Sequence, residues 1–566
     1  MFKEYLDKLS IASKEAVVDG NINTFDDFKE YLHIDRYMQS KLENIVFSAL
    51  ENNSSQLILI SGNVGDGKSH MMSRLHKKFP EEMARIKIRN DATESTRTDR
   101  SWVKELEEFL SPFNDEGLAA PKEKTTRIVA INLGILSSFL DQISNFNKLA
   151  SFVDQKGIID SLSFNNDYIL DSPFQFINLA DYNLFTLKET SSSSSLISEL
   201  LQRITLKNEK NPFYRAFTSY YHDHPNQTGC AMRQNYLELS KKEVQKGLID
   251  LIMFAIISFK LIISVRDLLN FIYDIIVPFD LQNLSSDKIK SLKNQTILPP
   301  KDFLYNKLFE SNGRSELFNS LGNLDPNKFR SKYLDELIFK LSSTEHPLEI
   351  FNQNGFTSNE GWLSPRKNDV LIKTFIRALY LNKIHNFDDE LSNYHMFFRY
   401  LYFFYKNDKS GLKSLYKDIM KAIYCWNGNS KNSEEINVAL GRHQLQYNIT
   451  QNIILEPSIQ VINNATDFDE IHEFGNVINI GILAAGHEVT FSLDISLYLL
   501  LKDVINGYSP NKLDRENHTD FQKAVDTITN LSSEGKSITF ERIDGGQKQE
   551  FQLVYSSVFG YEFLKK

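Results

Sequence analysis

Residues 56–75 read QLILISGNVGDGKSHMMSRL, and this stretch decides the fold. An apolar run from Gln56 to Ile60 lies between polar residues and a glycine, which predicts a buried strand. The next segment, GNVGDGKS from Gly62 to Ser69, matches the pattern GxxxxGK(S/T) at every fixed position. A helical pattern follows as far as Phe79. Strand, glycine loop and helix in this order predict an α/β domain in which the loop lies at the end of a parallel strand.

The residue types of this loop suit a phosphate group. Glycines allow consecutive backbone N–H groups to surround an anion, and the positive end of the following helix points at the same place. Lys68 can reach the β- and γ-phosphates, and the Ser69 hydroxyl can bind Mg²⁺. We therefore expect ATP or GTP, together with Mg²⁺, as the ligands. The predicted nucleotide-binding residues are Gly62, Asn63, Val64, Gly65, Asp66, Gly67, Lys68, Ser69 and His70.

Strand and helix patterns alternate on both sides of the loop. Residues 84–89, 127–131 and 174–179 are candidates for three more strands, with amphipathic helices between them. Another helix is predicted before the first strand, over residues 25–52. Strands that alternate with helices favour a three-layer parallel α/β architecture. We predict an AAA+/ASCE-like P-loop NTPase domain over residues 1–190.

Hydrolysis by such a domain normally uses a second acidic residue at the end of a neighbouring strand, which holds Mg²⁺. No apolar run followed by Asp-Glu occurs after the loop. Asp91 ends the second strand and could hold the metal ion with Ser69, and Glu94 could orient the attacking water. Asn132 ends the third strand and could contact the γ-phosphate, and Asp181 follows the fourth strand. Each of these strand-end residues could instead belong to a turn.

A further candidate lies outside the α/β pattern. The segment SVRDLLNF, residues 264–271, is typical of a helix start with Ser264 as its cap. Arg266 could reach from this helix to the γ-phosphate and couple the nucleotide to the position of a lid. The alternative is a surface arginine on a capped helix. The candidate catalytic residues are therefore Lys68, Asp91, Glu94, Asn132 and Arg266.

Beyond the α/β domain the pattern becomes mainly helical. We predict a helical lid over residues 191–300 and a helical domain over residues 301–440. Runs of Val, Ile and Thr then return, and they predict a small C-terminal α+β domain over residues 441–566. Its last part, residues 537–555, is typical of a β-hairpin.

Composition narrows the class of protein. The 566 residues carry 64 Lys and Arg against 73 Asp and Glu, a net charge of -9, which argues against a chain that grips DNA alone. The two cysteines, Cys230 and Cys425, are too far apart for a metal clip, and their scarcity fits a reducing compartment. No apolar stretch approaches the length of about 20 residues that a membrane span needs. We expect a cytoplasmic protein that does not enter a membrane.

Several short motifs together resemble one protein family. The loop and the segments that follow two of the predicted strands resemble the ATPase component of DNA phosphorothioation-dependent restriction systems, the DptF family. The matching segments are GDGKS at 65–69, NDATES at 90–95, AINLG at 130–134, YLHI at 31–34, RDLLNFI at 266–272 and GYSPN at 507–511.

This resemblance implies a role in bacterial antiviral defence. Such systems replace a phosphate oxygen of host DNA with sulfur, and a set of partner proteins attacks DNA that lacks this mark. The chain would be the ATP-binding subunit, and DptG- and DptH-like proteins would be its partners. It would contact DNA through the complex, and it could itself form an oligomer. Two alternatives stay open. One is a nucleotide-dependent assembly switch without significant hydrolysis, and the other is a small-molecule P-loop kinase, which the large helical regions disfavour.

Overall fold

A computed structural model describes most of the chain. The described residues are 2–11, 27–63, 65–93, 101–159, 167–190, 192–225, 230–284, 300–328, 332–344, 349–350, 368–382, 388–428, 434–438, 447–462, 469–532, 537–542 and 550–565. The chain forms two compact units. The first comprises Met1–Thr186, Ser193–Phe387 and His472–Phe474, and the second comprises Leu187–Ser192, Asp388–Ile471 and Gly475–Lys566.

The first unit contains a parallel sheet of four strands, as the sequence predicts. The strands are β1 (Gln56–Ser61), β2 (Ile86–Arg89), β3 (Thr126–Ala130) and β4 (Phe174–Asn178), and their order across the sheet is β2-β3-β1-β4. All three pairings are parallel. β1 has a neighbour on both sides and is buried along its whole length. The glycine loop therefore begins at the centre of the carboxyl edge of the sheet.

One face of the sheet is covered by the helix before β1 and the helix after it. Ile58 and Ile60 of β1 pack with helices Tyr37–Glu51 and Lys68–Lys78 in one apolar core. Burial of an aliphatic side chain of this size contributes about 1.5–3 kcal/mol. This packing fixes the direction of the helix that follows the glycine loop.

The other face of the sheet is covered by later helices. Leu57 and Leu59 of β1 point into a second apolar core, which includes side chains of helices Trp102–Leu110, Leu133–Gln142 and Asn147–Gln155. Alternate residues of one strand thus face two cores, as the pleat of a strand requires. The three layers predicted from the alternating pattern are present.

The connections diverge at the carboxyl edge. After β1 the chain crosses to the first face, whereas after β3 it crosses to the second face. In open parallel sheets a crevice forms where neighbouring connections leave in opposite directions, and ligands bind there. Here the two connections begin with the glycine loop and with Asn132.

The helix predicted over residues 25–52 is interrupted. Two helices, Asp27–Leu32 and Tyr37–Glu51, are separated by four residues that are not helical. Arg36 precedes the second helix with an extended backbone, φ -112° and ψ 151°. The prediction of one helix was wrong because apolar residues keep nearly helical spacing across the break, so periodicity alone does not reveal it.

The remainder of the first unit is mainly helical. Its further helices are Phe2–Asp7, Pro80–Met83, Asp115–Ala119, Ser195–Thr205, Pro212–Asp223, Ala231–Leu239, Lys242–Phe259, Val265–Ile276, Phe279–Gln282, Leu304–Glu310, Glu316–Asn323, Lys332–Ser343 and Asn368–Asn382. Short 3-10 turns lie at Ser111–Phe113, Leu179–Asp181, Pro300–Asp302 and Pro326–Lys328. Two further strands are Tyr182–Leu187 and Ile471–Glu473.

The helix Val265–Ile276 is held at both ends. At its start the Ser264 hydroxyl accepts from the Asp267 N–H at 3.2 Å, and the Asp267 carboxylate accepts from the Ser264 N–H at 3.0 Å, so the predicted cap is confirmed. At its end the Asn235 amide nitrogen donates to the carbonyl of Ile276 at 3.3 Å. Asn235 is fully buried and also binds the backbone of Asp302 and Leu304.

The second unit combines helices with two antiparallel sheets. Its helices are Asp388–Tyr405, Lys409–Cys425, Ile495–Ile505, Lys512–Asn517 and Thr519–Ser532. A three-stranded sheet contains Leu455–Ser458, Ile478–Ala484 and His487–Leu493. A five-stranded sheet contains Glu435–Asn437, Tyr447–Asn452, Ser537–Arg542, Glu550–Ser556 and Gly560–Lys565. The predicted hairpin is present, since Ser537–Arg542 pairs antiparallel with Glu550–Ser556. Throughout the described residues, no helix combines the length and the apolar character that a membrane span requires.

Replacement of Asn235 by alanine is expected to destabilise the first unit by about 3 kcal/mol. The change leaves two buried carbonyl groups and one buried N–H group without their partner, and each such group costs about 1–3 kcal/mol. The measurement is the thermal unfolding midpoint of the full chain. Asn208→Ala, at an exposed position, serves as the control. Equal midpoints for the two variants would contradict the role of Asn235.

Candidate functional site

The loop after β1 adopts a backbone that only glycine takes without strain. Gly62, Gly65 and Gly67 have φ values of 149°, 94° and 96°. Side chains with a Cβ atom rarely adopt these angles. Gly67 ends the loop, and helix Lys68–Lys78 begins at the next residue. Val64, which the sequence also predicts in the loop, lies outside the described residues.

Gly65 lies directly against the start of helix Val265–Ile276. A Cβ atom at Gly65 would approach the Ser264 hydroxyl to 2.5 Å and the Ser264 Cβ to 2.9 Å, both closer than real contacts allow. The same atom would lie 3.6 Å from the Cβ of Arg266. The structure therefore brings Arg266 beside the glycine loop. Its Nε atom is buried and has no hydrogen-bond partner among the described residues.

Lys68 holds the loop closed. Its ammonium group donates to the carbonyl oxygens of Gly62 at 2.6 Å and Asn63 at 2.8 Å. Burial lowers the pKa of Lys68, and the charges of Asp66 and Asp91 oppose that shift. Among the described residues, the ammonium group thus contacts neutral carbonyl oxygens of the loop.

Asp66 shapes the loop from within. Its carboxylate accepts a hydrogen bond from the backbone N–H of Asn63 at 2.6 Å. Burial raises the pKa of this carboxyl, while the Asn63 hydrogen bond and Lys68 act in the opposite direction. A negative charge is therefore built into a loop whose backbone N–H groups favour anions.

Asp91 and Asn132 lie at the edge of the sheet where the sequence predicts them. The Asp91 carboxylate accepts from the Thr93 N–H at 2.8 Å and from the Thr93 hydroxyl at 2.7 Å. The Asn132 side-chain oxygen accepts from the Ile135 N–H at 2.7 Å and caps helix Leu133–Gln142. Both side chains are exposed. They occupy the turn and cap positions that are the alternative to a functional role, and they also line the cavity beside the loop.

Of the two other predicted residues, one lies away from this arrangement and the other lies outside the described residues. The Asp181 carboxylate accepts a hydrogen bond from the Asn178 amide at 2.6 Å in the turn after β4, and it does not line the cavity within the described part of the chain. Glu94 lies outside the described residues.

A cavity of about 550 Å³ connects the glycine loop with the other candidates. Its polar lining includes the described loop residues with Asp91, Asn132 and Arg266, and further polar residues line it as well, namely Lys8, Lys29, His33, Arg36, Gln39, His70, Asn90 and Thr93. Its apolar lining consists of Phe28, Leu32, Ile34, Met38, Met71, Ala92, Ala130, Ile131, Ile135, Leu196, Leu200, Val265 and Leu269. The cavity therefore offers N–H groups and cations together with apolar surface.

A pair of histidines lies behind the loop, and sequence reasoning identified only one of them. His70 Nε2 lies 2.9 Å from His33 Nδ1, and His33 Nε2 lies 3.0 Å from an Asp35 oxygen. Burial lowers the pKa of His70 to about 4 and also lowers the pKa of His33, although Asp35 opposes the second shift. Both rings are therefore neutral at pH 7, and they connect the interrupted helix segment to the start of helix Lys68–Lys78.

Arg36 also lines the cavity, and sequence reasoning missed it. The residue lies in the break between the two N-terminal helices. Its sequence neighbourhood, HIDRY, contains no motif that would mark it. Only the three-dimensional contact between this break and the glycine loop identifies the residue.

The donor set fits a metal ion that arrives with a nucleotide. Ser69 and Asp91 both line the cavity, so a hydroxyl and a carboxylate are available. Across the described ranges there is no group of three or more His, Cys, Asp or Glu side chains that could hold a metal ion. Mg²⁺ in nucleotide sites is commonly bound by one or two carboxylates with substrate phosphates and water. The residues present therefore fit Mg²⁺ held jointly with phosphates.

Replacement of Gly65 by alanine is expected to destabilise the first unit. The positive φ alone costs about 1–3 kcal/mol for a residue with a Cβ atom, and the overlap with Ser264 adds to this cost. The matched control is Gly134→Ala, because a Cβ atom there meets only the Asn132 oxygen, at an ordinary 3.6 Å. Thermal unfolding of both variants is the measurement. A Gly65→Ala chain as stable as the Gly134→Ala chain would refute the contact.

No family model, curated protein or solved structure matches this chain. The resemblance carried by the six short motifs therefore stays a prediction. The function has to be inferred from the chemistry of the cavity and of the loop that lines it.

Proposed function

We propose that this chain binds ATP with Mg²⁺ at residues 62–69 and hydrolyses it, as the P-loop ATPase subunit of a DNA phosphorothioation-dependent restriction complex. One observation carries the nucleotide part of the proposal. A loop with three glycines at positive φ joins the central buried strand of a parallel sheet to helix Lys68–Lys78, at the edge where the connections diverge. This arrangement supports an AAA+/ASCE-like P-loop NTPase domain.

The polar end of the cavity suits a triphosphate. A Cβ atom at Gly67 would meet no other atom within 4 Å, so a ligand can approach the backbone at the start of helix Lys68–Lys78. Lys68 would exchange its two carbonyl contacts for phosphate oxygens, which gives the stronger, charge-assisted hydrogen bond. The buried Nε of Arg266 would gain a partner in the same step.

The apolar part of the cavity suits a nucleoside base. Its volume of about 550 Å³ falls in the range of about 300–1,000 Å³ that is typical of ligand sites. Aliphatic side chains such as Leu32, Met38 and Leu200 offer flat apolar contact without charge. This lining supports a purine base, and the choice of adenine follows from the family resemblance.

Roles in turnover follow from the positions of the polar side chains. Ser69 and Asp91 would hold Mg²⁺, which neutralises phosphate charge during transfer. Asn132 has its oxygen committed to the helix cap, so its amide nitrogen is the group that would donate to the γ-phosphate. Arg266 would stabilise the charge of the leaving phosphates.

The role in restriction rests on the family resemblance. It assigns DptG- and DptH-like proteins as partners, contact with DNA through the complex and a place in the cytoplasm. The net charge of -9 supports this division of work, because a chain of that charge has little general attraction for DNA.

A second function is favoured by a specific contact. Because Gly65 lies against Ser264, a shift of the loop towards Ser264 on nucleotide binding would displace the start of helix Val265–Ile276. Asp91, the available carboxylate, is engaged in a turn with Thr93. These two observations suit a nucleotide-dependent assembly switch without significant hydrolysis.

Replacement of Lys68 by alanine is expected to lower ATP affinity at least about 100-fold while the fold is kept. The lysine contacts loop carbonyls and not an apolar core, so its loss removes a phosphate ligand and little packing. The measurements are ATP binding by calorimetry and the unfolding midpoint. Lys87→Ala, at an exposed position of β2, is the control. Parental ATP affinity in Lys68→Ala would reject the nucleotide site.

ATP turnover separates the proposed functions. Phosphate release is measured for the chain alone and with its co-purified partners, on DNA with and without phosphorothioate. Turnover that rises with partners and unmodified DNA supports the restriction ATPase. Tight binding without turnover in every mixture supports the switch, and transfer of phosphate to a metabolite supports a kinase.

Two substitutions of Asn132 separate its cap from its catalytic role. Asn132→Ala is expected to lose about 1 kcal/mol of stability and most of the turnover, because both the cap and the amide donor are gone. Asn132→Ser keeps a capping oxygen, so we expect near-parental stability with turnover still reduced. The measurements are the unfolding midpoint, ATP affinity and turnover rate. If Asn132→Ser turns over ATP at the parental rate, Asn132 acts only as a helix cap and has no catalytic role.

A further inference from the structure

Arg36 is placed at the cavity by the break between the two N-terminal helices. It occupies the N-cap position of helix Tyr37–Glu51 in an extended conformation, and no side-chain cap bond forms there. It lines the same cavity as Gly65, Asp66 and Lys68. An arginine is a poor N-cap residue, so this position has no evident benefit for the helix itself.

No hydrogen bond or ion pair joins the guanidinium group of Arg36 to another residue of the described part of the chain. Burial lowers the pKa of Arg36 to about 10, and the charge of Asp66 opposes that shift. The group therefore remains a cation at neutral pH. A largely desolvated cation without a partner is unfavourable unless an anion compensates for it.

The charges around Arg36 belong to the loop and to the helix that follows it. The charge of Asp66 acts on the pKa of both Arg36 and Lys68. The charge of Arg36 also acts on His70, in the first turn of helix Lys68–Lys78, whereas the charge of Asp91, after β2, acts on Lys68. Arg36 and Lys68 therefore share Asp66 as a neighbouring charge and otherwise differ in their surroundings. Lys68 reaches the β- and γ-phosphates in loops of this kind, and Arg36 would offer a second cation to the same chain of phosphates.

We propose that Arg36 is a nucleotide-binding residue, and that its guanidinium contacts a phosphate group that ATP and ADP have in common. This inference rests on the proposed nucleotide site and deepens it. Arg36 and Lys68 would then both bind the phosphate chain. The planar guanidinium can donate two parallel hydrogen bonds to one phosphate, which a lysine cannot do.

The test is calorimetric binding of ATP and of ADP to the full chain, each with Mg²⁺. For Arg36→Ala we expect a loss of about 10- to 100-fold for both nucleotides, in line with one charge-assisted hydrogen-bonded contact. Arg36→Lys keeps the positive charge but not the planar group that donates two parallel hydrogen bonds. It should therefore lose less affinity than Arg36→Ala for both nucleotides. Arg215→Ala, at an exposed position of the same unit, is the matched control and should bind as the parent does. Unfolding midpoints show which variants are folded.

The outcomes separate this proposal from the nucleotide site itself. If folded Arg36→Ala binds ADP as tightly as the parent chain while Lys68→Ala loses binding, the proposed role of Arg36 is overturned. The proposed nucleotide site then still stands. A loss confined to ATP also overturns it, because the contact would then be to the γ-phosphate. If Arg36→Ala does not fold, parental ADP affinity in Arg36→Lys overturns the proposal and reduced affinity supports it. A parent chain that binds neither nucleotide removes both proposals.

Discussion

The burial of β1 on both faces is the constraint on which the site depends. Its four central residues alternate between two apolar cores, and strands pair with it on both sides, so the strand cannot tilt or slide. A one-residue slip would exchange the side chains between the two cores. The glycine loop consequently leaves the sheet at one place and in one direction. Everything else that lines the cavity is positioned relative to that point.

The contact of Gly65 with Ser264 joins two parts of the first unit that are 199 residues apart in sequence. The helix Val265–Ile276 is capped at its start and bound by Asn235 at its end, so both of its ends are fixed by hydrogen bonds. A well-ordered helix in direct contact with the glycine loop can receive a displacement of that loop without a long chain of intervening residues. The same contact therefore serves both functional hypotheses. In an ATPase it brings Arg266 to the phosphates, and in a switch it converts occupancy into helix position.

Sequence reasoning predicted the parts of the site that are encoded locally. The loop, the four strands, the cap at Ser264 and the positions of Asp91 and Asn132 all follow from patterns of a few adjacent residues. The break at residues 33–36 does not follow from such a pattern, because the apolar spacing continues through it although the helix does not. His33 and Arg36 acquire their surroundings only when that break meets the loop more than 25 residues later. Tertiary packing determines which residues surround them, and the periodicity of a sequence carries no information about that packing.

The Asp66 carboxylate inside the loop accounts for the cationic side chains near it. Asp66 holds the loop through the Asn63 N–H, so its carboxylate is part of the structure, yet it lies in the loop that we propose as the phosphate site. Lys68 alone would only balance that carboxylate and would leave no net attraction for an anion. Arg36 lines the same cavity, and its charge, which Asp66 also influences, makes the site positive again. Arg266 extends the positive region along the face that contacts Gly65. In the proposed site, the affinity for phosphate would thus depend on residues before and after the loop as well as on its own glycines.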